Sequence, residues 1–413
     1  MTFAFLLFWL SVACVAYGYL IYPLVLYGAG CLFGKLRNPG YLEDARLPRI
    51  TLLVAAHNEA AVIDERIKNA LALDYPSAKL DIIVASDGST DQTPAIVRRY
   101  AMQGVRLLDY PERRGKASVL NSAIAEARGE IILLSDANVR TDPMAARSLA
   151  RWFDDVQVGA VCGRLILTDP KSGRNADGLY WKYETFLKKQ EGRLGALLGS
   201  NGAIYAMRKE HFQPIPPGTI IDDFVIPLAA RLRTGRHIIY DRDAIAYEET
   251  APDIRAEFRR RTRIGTGGWQ AIAMLWPLLN PRQGWIAFTF FSHKILRWAC
   301  PFFLTMALLG NLLLCAIPLY RWLFVAQAAL YLSALIGGVV PRAFPGARIL
   351  RLANMFVHMN AALLVGFAHW ISRRQTGIWP VTERPAPAGA GASPTTVDPE
   401  HRAASNAATF NPI

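Results

Sequence analysis

Residues 50–56, Ile-Thr-Leu-Leu-Val-Ala-Ala, form an uncharged apolar run that predicts a fully buried β-strand. Similar runs follow at residues 80–85, 105–108 and 130–134. The segments after these four runs predict helices over about 58–73, with Asn58 as the cap, and over 91–102, 116–127 and 143–153. Strands and helices that alternate at this spacing form βαβ units, so we predict an α/β domain with a mostly parallel sheet and helices on both faces. We place this domain at residues 48–250.

Apolar segments precede and follow this domain. Residues 3–33 contain no charged side chain, and a membrane span needs about 20 apolar residues. We therefore expect an N-terminal transmembrane helix over residues 1–34; a cleaved signal peptide is the alternative, but the basic start that such peptides carry is absent. Three later runs predict about three C-terminal transmembrane helices within residues 298–371, namely 298–317, 322–341 and 353–371.

Basic residues indicate how these segments are oriented. Those that follow the first segment are Lys35, Arg37, Arg46 and Arg49. By the positive-inside rule, the α/β domain is then on the cytoplasmic side. Four single spans would put the C-terminus outside, whereas Arg373 and Arg374 indicate the inside. Either the number of spans or the orientation is therefore off by one. One candidate for this discrepancy is the stretch 284–297, which can lie along the membrane interface instead of leading into a span.

The remaining composition excludes some classes of protein. Residues 251–297 predict amphipathic or interfacial helices, and the Pro-, Ala-, Thr- and Ser-rich residues 385–413 predict a disordered tail. The five cysteines form no CxxC pair, so neither a zinc site nor a disulfide framework is indicated. The net charge of +13 lies largely beside the apolar segments, where membrane lipids are the natural partner, and we expect no nucleic-acid binding.

Two acidic motifs follow predicted strands. Asp87, in Ser-Asp-Gly-Ser-Thr-Asp (86–91), comes after the second strand, and Asp136, in Ser-Asp-Ala-Asn (135–138), comes after the fourth. Loops at the carboxyl ends of parallel strands line the ligand crevice, so these two side chains can meet around one ligand. Asp87 can accept a hydrogen bond from a uracil imide while Gly88 allows a close backbone approach. A cap on the following helix is the alternative.

The Asp136 motif can hold a divalent cation together with a nucleotide diphosphate. Mg²⁺ and Mn²⁺ prefer oxygen ligands and usually keep several waters. Asp136 supplies a carboxylate, whereas Asn138 supplies only a neutral carbonyl oxygen. The alternative is a capped turn before the next helix.

Two further motifs carry candidate chemistry. Asp222 and Asp223 are adjacent carboxylates whose repulsion can raise one pKa, which suits a base that deprotonates a hydroxyl; a solvated acidic turn is the alternative. Lys116 begins a predicted helix, where an ammonium group is unfavourable unless an anion binds, so we interpret it as a phosphate contact; an ordinary exposed loop is the alternative. The run Arg259–Arg263 contains four arginines, and at least one can pair with a departing diphosphate while the others face lipid headgroups.

Taken in order, these motifs resemble the membrane-bound inverting glycosyltransferases of family 2, particularly the bacterial synthases of poly-N-acetylglucosamine, cellulose and hyaluronan. The resemblance runs from about residue 20 to 380, and it implies a Rossmann-like A-type glycosyltransferase fold at a bacterial inner membrane. It assigns nucleotide recognition to Glu59, Asp87 and Lys116, diphosphate and metal binding to Asp136, and the role of base to Asp223. It also implies that the Asn201-Gly202 loop shapes the acceptor side.

The chain departs from the family pattern after the proposed base. Processive members carry Q-x-x-R-W, whereas here Arg260 and Arg263 are followed by Ile264 in place of the tryptophan, and Trp269 is the nearest substitute. We therefore expect transfer of a hexose or N-acetylhexosamine from a UDP-sugar to a growing polysaccharide, with single-sugar transfer to a polyprenyl-phosphate or other lipid-linked acceptor as the alternative. Less favoured alternatives are a catalytically silent partner of an export complex and a transporter. Export or accessory subunits are possible partners.

Overall fold

The computed structural model describes residues 1–34, 39–169, 175, 178–250, 254–337 and 346–374. The predicted disordered tail, residues 385–413, lies outside these ranges.

A mixed sheet of eight strands is at the centre of the described residues. The strands are β1 (Ile50–Ala56), β2 (Leu80–Asp87), β3 (Val105–Tyr110), β4 (Ile131–Leu134), β5 (Arg140–Thr141), β6 (Val158–Thr168), β7 (Tyr205–Arg208) and β8 (His237–Glu249). Their order is β3-β2-β1-β4-β7-β6-β8-β5. The pairs β1·β2, β1·β4, β2·β3 and β6·β8 are parallel, and the pairs that include β7 or β5 are antiparallel. The four predicted strands and the mostly parallel sheet are confirmed.

Fourteen α-helices are present in the described residues. They are α1 (Thr2–Ala16), α2 (Tyr22–Phe33), α3 (Ile63–Leu71), α4 (Thr93–Arg98), α5 (Lys116–Glu126), α6 (Ala145–Ala150), α7 (Leu179–Arg193), α8 (Asp222–Thr234), α9 (Ile254–Leu275), α10 (Trp285–Thr289), α11 (Leu296–Trp298), α12 (Cys300–Leu313), α13 (Pro318–Gly337) and α14 (Ala347–Ile371). A π-helical turn, Tyr17–Ile21, joins α1 to α2, and a π-helical segment, Phe290–Ile295, joins α10 to α11.

The helices of the α/β domain pack on both faces of the sheet. Side chains alternate between the faces of a strand. On β1, Leu53 therefore joins a core that includes residues of α5 and α8, whereas Leu52 and Val54 join a core that includes residues of α3, α4 and α6. This alternation explains why β1 contains no polar position except Thr51, whose hydroxyl donates to Asp81.

The first helix of the domain begins later than the sequence predicts. It begins at Ile63, and Asn58 does not cap it. Asn58 instead adopts a left-handed backbone with φ of 54°, and its Oδ1 accepts a hydrogen bond from the Thr90 backbone at 2.8 Å. The asparagine therefore joins the loops after β1 and β2, a contact between residues far apart in the chain that outweighs local capping.

Among the helices that the structure describes, three are long and apolar enough to cross a membrane: Thr2–Phe33, Pro318–Gly337 and Ile349–Ile371. The predicted span at 298–317 stays a prediction, because α12 has only 14 residues and reaches the length of a span only together with the helix before it. The helices Trp285–Trp298 and Cys300–Leu313 instead form a pair bent by 56°, which raises the count to four if the pair is one span. Pro301 at the start of α12 explains the break, because proline cannot continue the preceding helix without losing a hydrogen bond. The stretch 284–297 thus leads into α12 through this bend.

Candidate active site

Asp87 lies at the end of β2 and holds the turn that precedes α5. Its two carboxylate oxygens accept hydrogen bonds from the backbone of Arg114 (2.7 Å) and Gly115 (2.9 Å), and the residue has no exposed surface. The carboxylate therefore fixes the start of α5, and with it the position of Lys116. Contact with a uracil imide stays a prediction, and it would use the lone pairs that these two bonds leave free.

The loops on this side of the sheet approach each other closely. Gly88 has φ of 60°, and a Cβ atom on it would lie 2.6 Å from the Arg113 backbone nitrogen. The glycine is thus required by the neighbouring loop, and its predicted role toward a nucleotide stays untested. His57 Nδ1 bonds the Asp87 carbonyl at 2.6 Å, and the Glu59 backbone donates to Thr93 Oγ1 at 2.9 Å.

The structure brings Lys116, Asp136 and Asp222 together from three different elements. The Lys116 ammonium lies 2.7 Å from Asp136 Oδ1 and 3.4 Å from Asp222 Oδ2. Burial lowers the pKa of Lys116, but Asp136 and Asp222 outweigh it and hold the pKa well above its ordinary value. The Lys116 side chain is therefore a permanent cation between two carboxylates. Lys116, Asp136 and Asp222 together are called the acidic group below.

Asp223 adjoins this group at the start of α8. Burial, and then the charge of Asp222, raise the pKa of Asp223 to about 6, while Lys116 lowers it. The direction agrees with the expectation from two adjacent carboxylates. The Asp223 backbone carbonyl accepts hydrogen bonds from the Ser200 amide (3.1 Å) and hydroxyl (2.7 Å), which fix the start of the helix. A half-buried carboxyl group with this pKa is mostly ionised at neutral pH and can still accept a proton.

The loop before β7 borders Asp136. The Asp136 amide donates to the Gly202 carbonyl at 3.1 Å, and a Cβ atom on Gly202 would lie 2.6 Å from Asp136 Oδ2. Only glycine therefore fits there without moving the carboxylate. The Asn201 side chain stabilises its own loop. Its Nδ2 donates to the Gly163 carbonyl at 3.0 Å, and its Oδ1 accepts a hydrogen bond from the Ile204 amide.

The two carboxylates of the acidic group suit a divalent cation whose other ligands come from a bound diphosphate and from water. The described residues contain no group of three His, Cys, Asp or Glu side chains that could hold a metal ion. Asp136 and Asp222 nevertheless both reach one point, where the Lys116 ammonium lies. Two carboxylates fit Mg²⁺ or Mn²⁺ when diphosphate oxygens and water complete the shell. The Asn138 amide donates to Glu248 Oε1 at 3.1 Å.

The arginines at residues 259–263, on α9, differ in their contacts. Arg260 is exposed and pairs with Glu257 at 3.0 Å, whereas Arg261 bonds Glu257 and the Tyr180 hydroxyl, which joins α9 to α7. Arg263 is half-buried and forms no ion pair with a described residue. Arg259 is exposed and likewise forms no ion pair with a described residue, so the guanidinium groups of Arg259 and Arg263 are both available to a diphosphate.

Trp269 packs between helices. Its ring centre lies 4.9 Å from that of Phe367, 5.9 Å from that of Phe302 and 6.3 Å from that of Trp370. These are residues of α12 and α14, so the ring holds α9 against the apolar helices. Its predicted contact with an acceptor would require this packing to open.

Tyr205, which the sequence analysis missed, lies under the acidic group. It is 1% exposed, and its hydroxyl has no hydrogen-bond partner in the described part of the chain. Burial, and then Asp222, Asp223 and Asp136, raise its pKa well above the ordinary value. No motif marks this tyrosine; only its strand position, opposite Leu134 of β4, places it there.

This arrangement, a mostly parallel sheet with carboxylates gathered at the carboxyl ends of its strands, is that of an A-type glycosyltransferase. Residues 51–213 match the sequence model of glycosyl transferase family 2, so the chain carries a family 2 glycosyltransferase domain. The fold is shared with the mannosyltransferase PcManGT of Pyrobaculum calidifontis, solved in complex with GDP-Man and Mn²⁺. That similarity has a TM-score of 0.68 at 24% identity and covers 89% of this chain and 99% of that one.

Curated relatives are similar over part of their length. The probable glycosyltransferase YdaM of Bacillus subtilis is 28% identical over 271 residues, which are 60% of this chain and 64% of the relative. The beta-monoglucosyldiacylglycerol synthase of Nostoc sp. is 27% identical over 273 residues, 63% of this chain and 57% of the relative. The poly-beta-1,6-N-acetyl-D-glucosamine synthase of Staphylococcus aureus is 26% identical over 239 residues, 55% of this chain and 56% of the relative. More than a third of each relative thus lies outside the alignment.

Proposed function

We propose that this protein is an inverting glycosyltransferase that moves a hexose or N-acetylhexosamine from a UDP-sugar to an acceptor at the membrane. One observation carries the proposal: Lys116, Asp136 and Asp222 meet at one point beside Asp223, whose pKa is about 6. The group combines a cation, carboxylates that attract a second cation, and a tuned base. The family 2 domain supports the assignment.

The donor side is proposed to involve the residues that the sequence analysis selected. Lys116 and Arg263 contact the diphosphate, where a negative charge develops as the sugar leaves. Glu59, Asp87, Gly88 and Arg260 complete the nucleotide side. A divalent cation, Mg²⁺ or Mn²⁺, would be held by Asp136, with Asp222 or Asn138 as the second ligand, and it would supply charge neutralisation for the leaving diphosphate.

Asp223 is proposed as the base. The acceptor hydroxyl gives its proton to Asp223 while its oxygen bonds to C1 of the sugar from the side opposite the departing diphosphate. Burial and Asp222 raise the pKa of Asp223 to about 6, so the carboxylate is still ionised at neutral pH before the reaction and is basic enough to hold the proton after it. Asn201 and Gly202 border the acceptor side, and Trp269 reaches the acceptor when its packing against Phe367 opens.

The acceptor has two candidates. A growing polysaccharide is favoured by the order of the motifs and by similarity to the Staphylococcus aureus synthase. A lipid-linked acceptor is favoured by Ile264, which stands where processive members carry a tryptophan, and by Trp269, whose ring packs against Phe367. The enzyme is proposed to be a multi-pass protein of the bacterial inner membrane, with residues 48–250 in the cytoplasm and with export subunits as possible partners.

The test is product analysis with the purified full chain. A panel of radiolabelled UDP-sugars with Mg²⁺ or Mn²⁺ should give a labelled polymer or a labelled glycolipid, and the size of the product separates the two acceptors. Asp223→Asn should abolish transfer while UDP still binds. Near-normal turnover by this variant would refute the assignment of the base.

A further inference from the structure

The segment from Asp136 to Thr141 carries the carboxylate proposed to hold the cation, and we call it the Asp136 loop. Helix α3 contacts this loop at both ends. At the far end, Asn69 Nδ2 donates to the Thr141 carbonyl at 2.8 Å, and Asn69 Oδ1 accepts hydrogen bonds from the Thr141 amide (2.8 Å) and hydroxyl (2.9 Å). At the near end, Arg66 Nε donates to the Asp136 carbonyl at 3.3 Å. The position of the loop therefore depends on two side chains of one helix.

Arg66 is buried without a carboxylate in hydrogen-bond contact. The residue is 3% exposed, and its Nη1 donates to Asn69 Oδ1 at 3.3 Å. Among the residues that the structure describes, Nη2 has no hydrogen-bond partner and the guanidinium group forms no ion pair. Burial lowers the pKa of Arg66 to about 10, and the charge of Asp136 opposes this change. The side chain is therefore still a cation at neutral pH.

The stability of the fold does not account for this charge. Both hydrogen bonds of Arg66 are at the long end of the usual range, and both end on uncharged oxygens. Burial of a charge costs free energy that good hydrogen bonds and an opposite charge in contact must offset. An apolar side chain of similar length, such as methionine, would fill the space without this cost. The reason for the charge therefore lies in the candidate active site beside it.

The backbone of Asp136 is held on both of its peptide groups. Its amide donates to the Gly202 carbonyl at 3.1 Å, and its carbonyl accepts from Arg66 at 3.3 Å. These two contacts restrict rotation of the backbone about the Asp136 Cα atom. The carboxylate is thereby kept directed at the Lys116 ammonium, which lies 2.7 Å from Oδ1. Loss of Arg66 would release the second of these peptide groups.

We propose that Arg66 is a positioning residue for the sugar donor. Through its hydrogen bond to the Asp136 carbonyl and through its charge, it holds the Asp136 loop in the conformation that binds a divalent cation together with the diphosphate of the nucleotide. The inference rests on the proposed function and adds a residue that touches neither the substrate nor the cation. A buried charge suits this role because electrostatic interactions are strong where water is excluded. The loop is then ordered before the donor arrives, so binding does not have to order it.

The test measures donor binding and stability separately on the purified full chain in detergent. Arg66→Met removes the charge and the hydrogen bonds but fills the same space. Without metal, we expect its free energy of unfolding to equal or exceed that of the wild type. The affinity for UDP in the presence of Mn²⁺, measured by calorimetry, should fall about tenfold or more, the effect of losing one hydrogen bond from a charged donor. In UDP-sugar hydrolysis, KM for the donor should rise by more than kcat falls, because Arg66 touches no reacting atom.

Three further variants complete the experiment. Arg66→Lys keeps the charge and one donor group, so it should recover part of the affinity for UDP with Mn²⁺. Lys68→Gln removes an exposed cation from the same helix and should leave this affinity unchanged. Asn69→Ala removes the hydrogen bonds at the Thr141 end of the loop and, unlike Arg66→Met, should lower the free energy of unfolding.

Three results would overturn the proposal. The first is an Arg66→Met variant that binds UDP with Mn²⁺ as tightly as the wild type. The second is an Arg66→Met variant that does not fold, or that is less stable than the wild type without metal, because the arginine then serves the fold. The third is an Arg66→Lys variant that binds as weakly as Arg66→Met, because the charge then has no part in the effect.

The proposed function is tested separately by the wild type and by two other variants. Asp136→Asn should lose the dependence of UDP binding on Mn²⁺, and the wild type should hydrolyse a UDP-sugar whereas Asp223→Asn does not. If both results hold while Arg66→Met binds as tightly as the wild type, sugar transfer stands and only the positioning role fails. A wild type that binds no UDP overturns both.

Discussion

Replacing Asp223 with asparagine should abolish sugar transfer and, at neutral pH, make the fold more stable. The change keeps the size of the side chain and removes its charge. Burial is the main reason that the pKa of Asp223 is raised from 3.8 to about 6, and Asp222 is the second. A carboxyl group whose pKa is higher in the folded than in the unfolded chain favours folding less as it ionises.

The size of the gain follows from the two pKa values. A shift of about 2 units corresponds to about 3 kcal/mol, because each unit is about 1.4 kcal/mol. Asp223 is half-buried, so solvent screening reduces the expected gain to about 1–2 kcal/mol. The wild type loses this stability as the pH rises from about 3.8, where the unfolded carboxyl ionises, to about 6, where the folded one does. The gain in the free energy of unfolding of Asp223→Asn should therefore be complete at pH 7 and should fall to well under half of that value at pH 4.5.

The assay is chemical unfolding of the purified full chain in detergent, measured for both variants at pH 7 and pH 4.5. Glu65→Gln on α3 is the control, because this glutamate is exposed and its replacement should change stability little at either pH. Transfer is measured on the same preparations. Two results would contradict the reasoning: an Asp223→Asn variant that is less stable than the wild type at pH 7, or one that gains as much stability at pH 4.5 as at pH 7. Either result would show that the ionised Asp223 carboxylate does not destabilise the fold.

Three further substitutions test the surrounding group. Lys116→Gln leaves two carboxylates without their cation, so Mn²⁺ should raise the Tm of this variant by more than that of the wild type, and equal shifts would contradict a shared cation position. Tyr205→Phe removes a buried hydroxyl that has no partner, so the free energy of unfolding should stay equal or rise by up to about 1 kcal/mol, while kcat falls if the hydroxyl serves the reaction. Gly202→Ala should lower transfer about tenfold or more because its Cβ would displace Asp136, whereas Gly40→Ala, with open space around its Cβ, should have no effect; comparable activities would show that the loop adjusts.

The strands can be predicted because burial on both faces demands uninterrupted apolar runs. β1 begins and ends at the predicted residues, and β4 begins one residue later than expected. Helix ends are harder, because a capping side chain can use a distant partner instead. Asn58 bonds Thr90 rather than the following helix, and this pairing depends on two loops meeting across the sheet.

For the apolar helices, too, the sequence predicts some features and misses others. Length and hydropathy, with few charged side chains, identify Pro318–Gly337 and Ile349–Ile371 as candidate spans. The same criteria miss the 56° bend after Trp298, because hydropathy is insensitive to the direction of a helix axis. Trp269 looks like a stacking residue in sequence, yet its position relative to Phe367 follows from how α9 packs against α14.

The order of the motifs predicts a family 2 domain, which the match of residues 51–213 confirms. It also predicts Asp87, Asp136 and Asp223 as site residues, because a nucleotide-sugar site at the edge of a parallel sheet draws its side chains from the loops after the strands. Folding in three dimensions decides which groups touch. It places Lys116 between Asp136 and Asp222, with Tyr205 beneath them. These contacts join elements far apart in the chain, and periodicity along a segment carries no information about which distant segment packs against it.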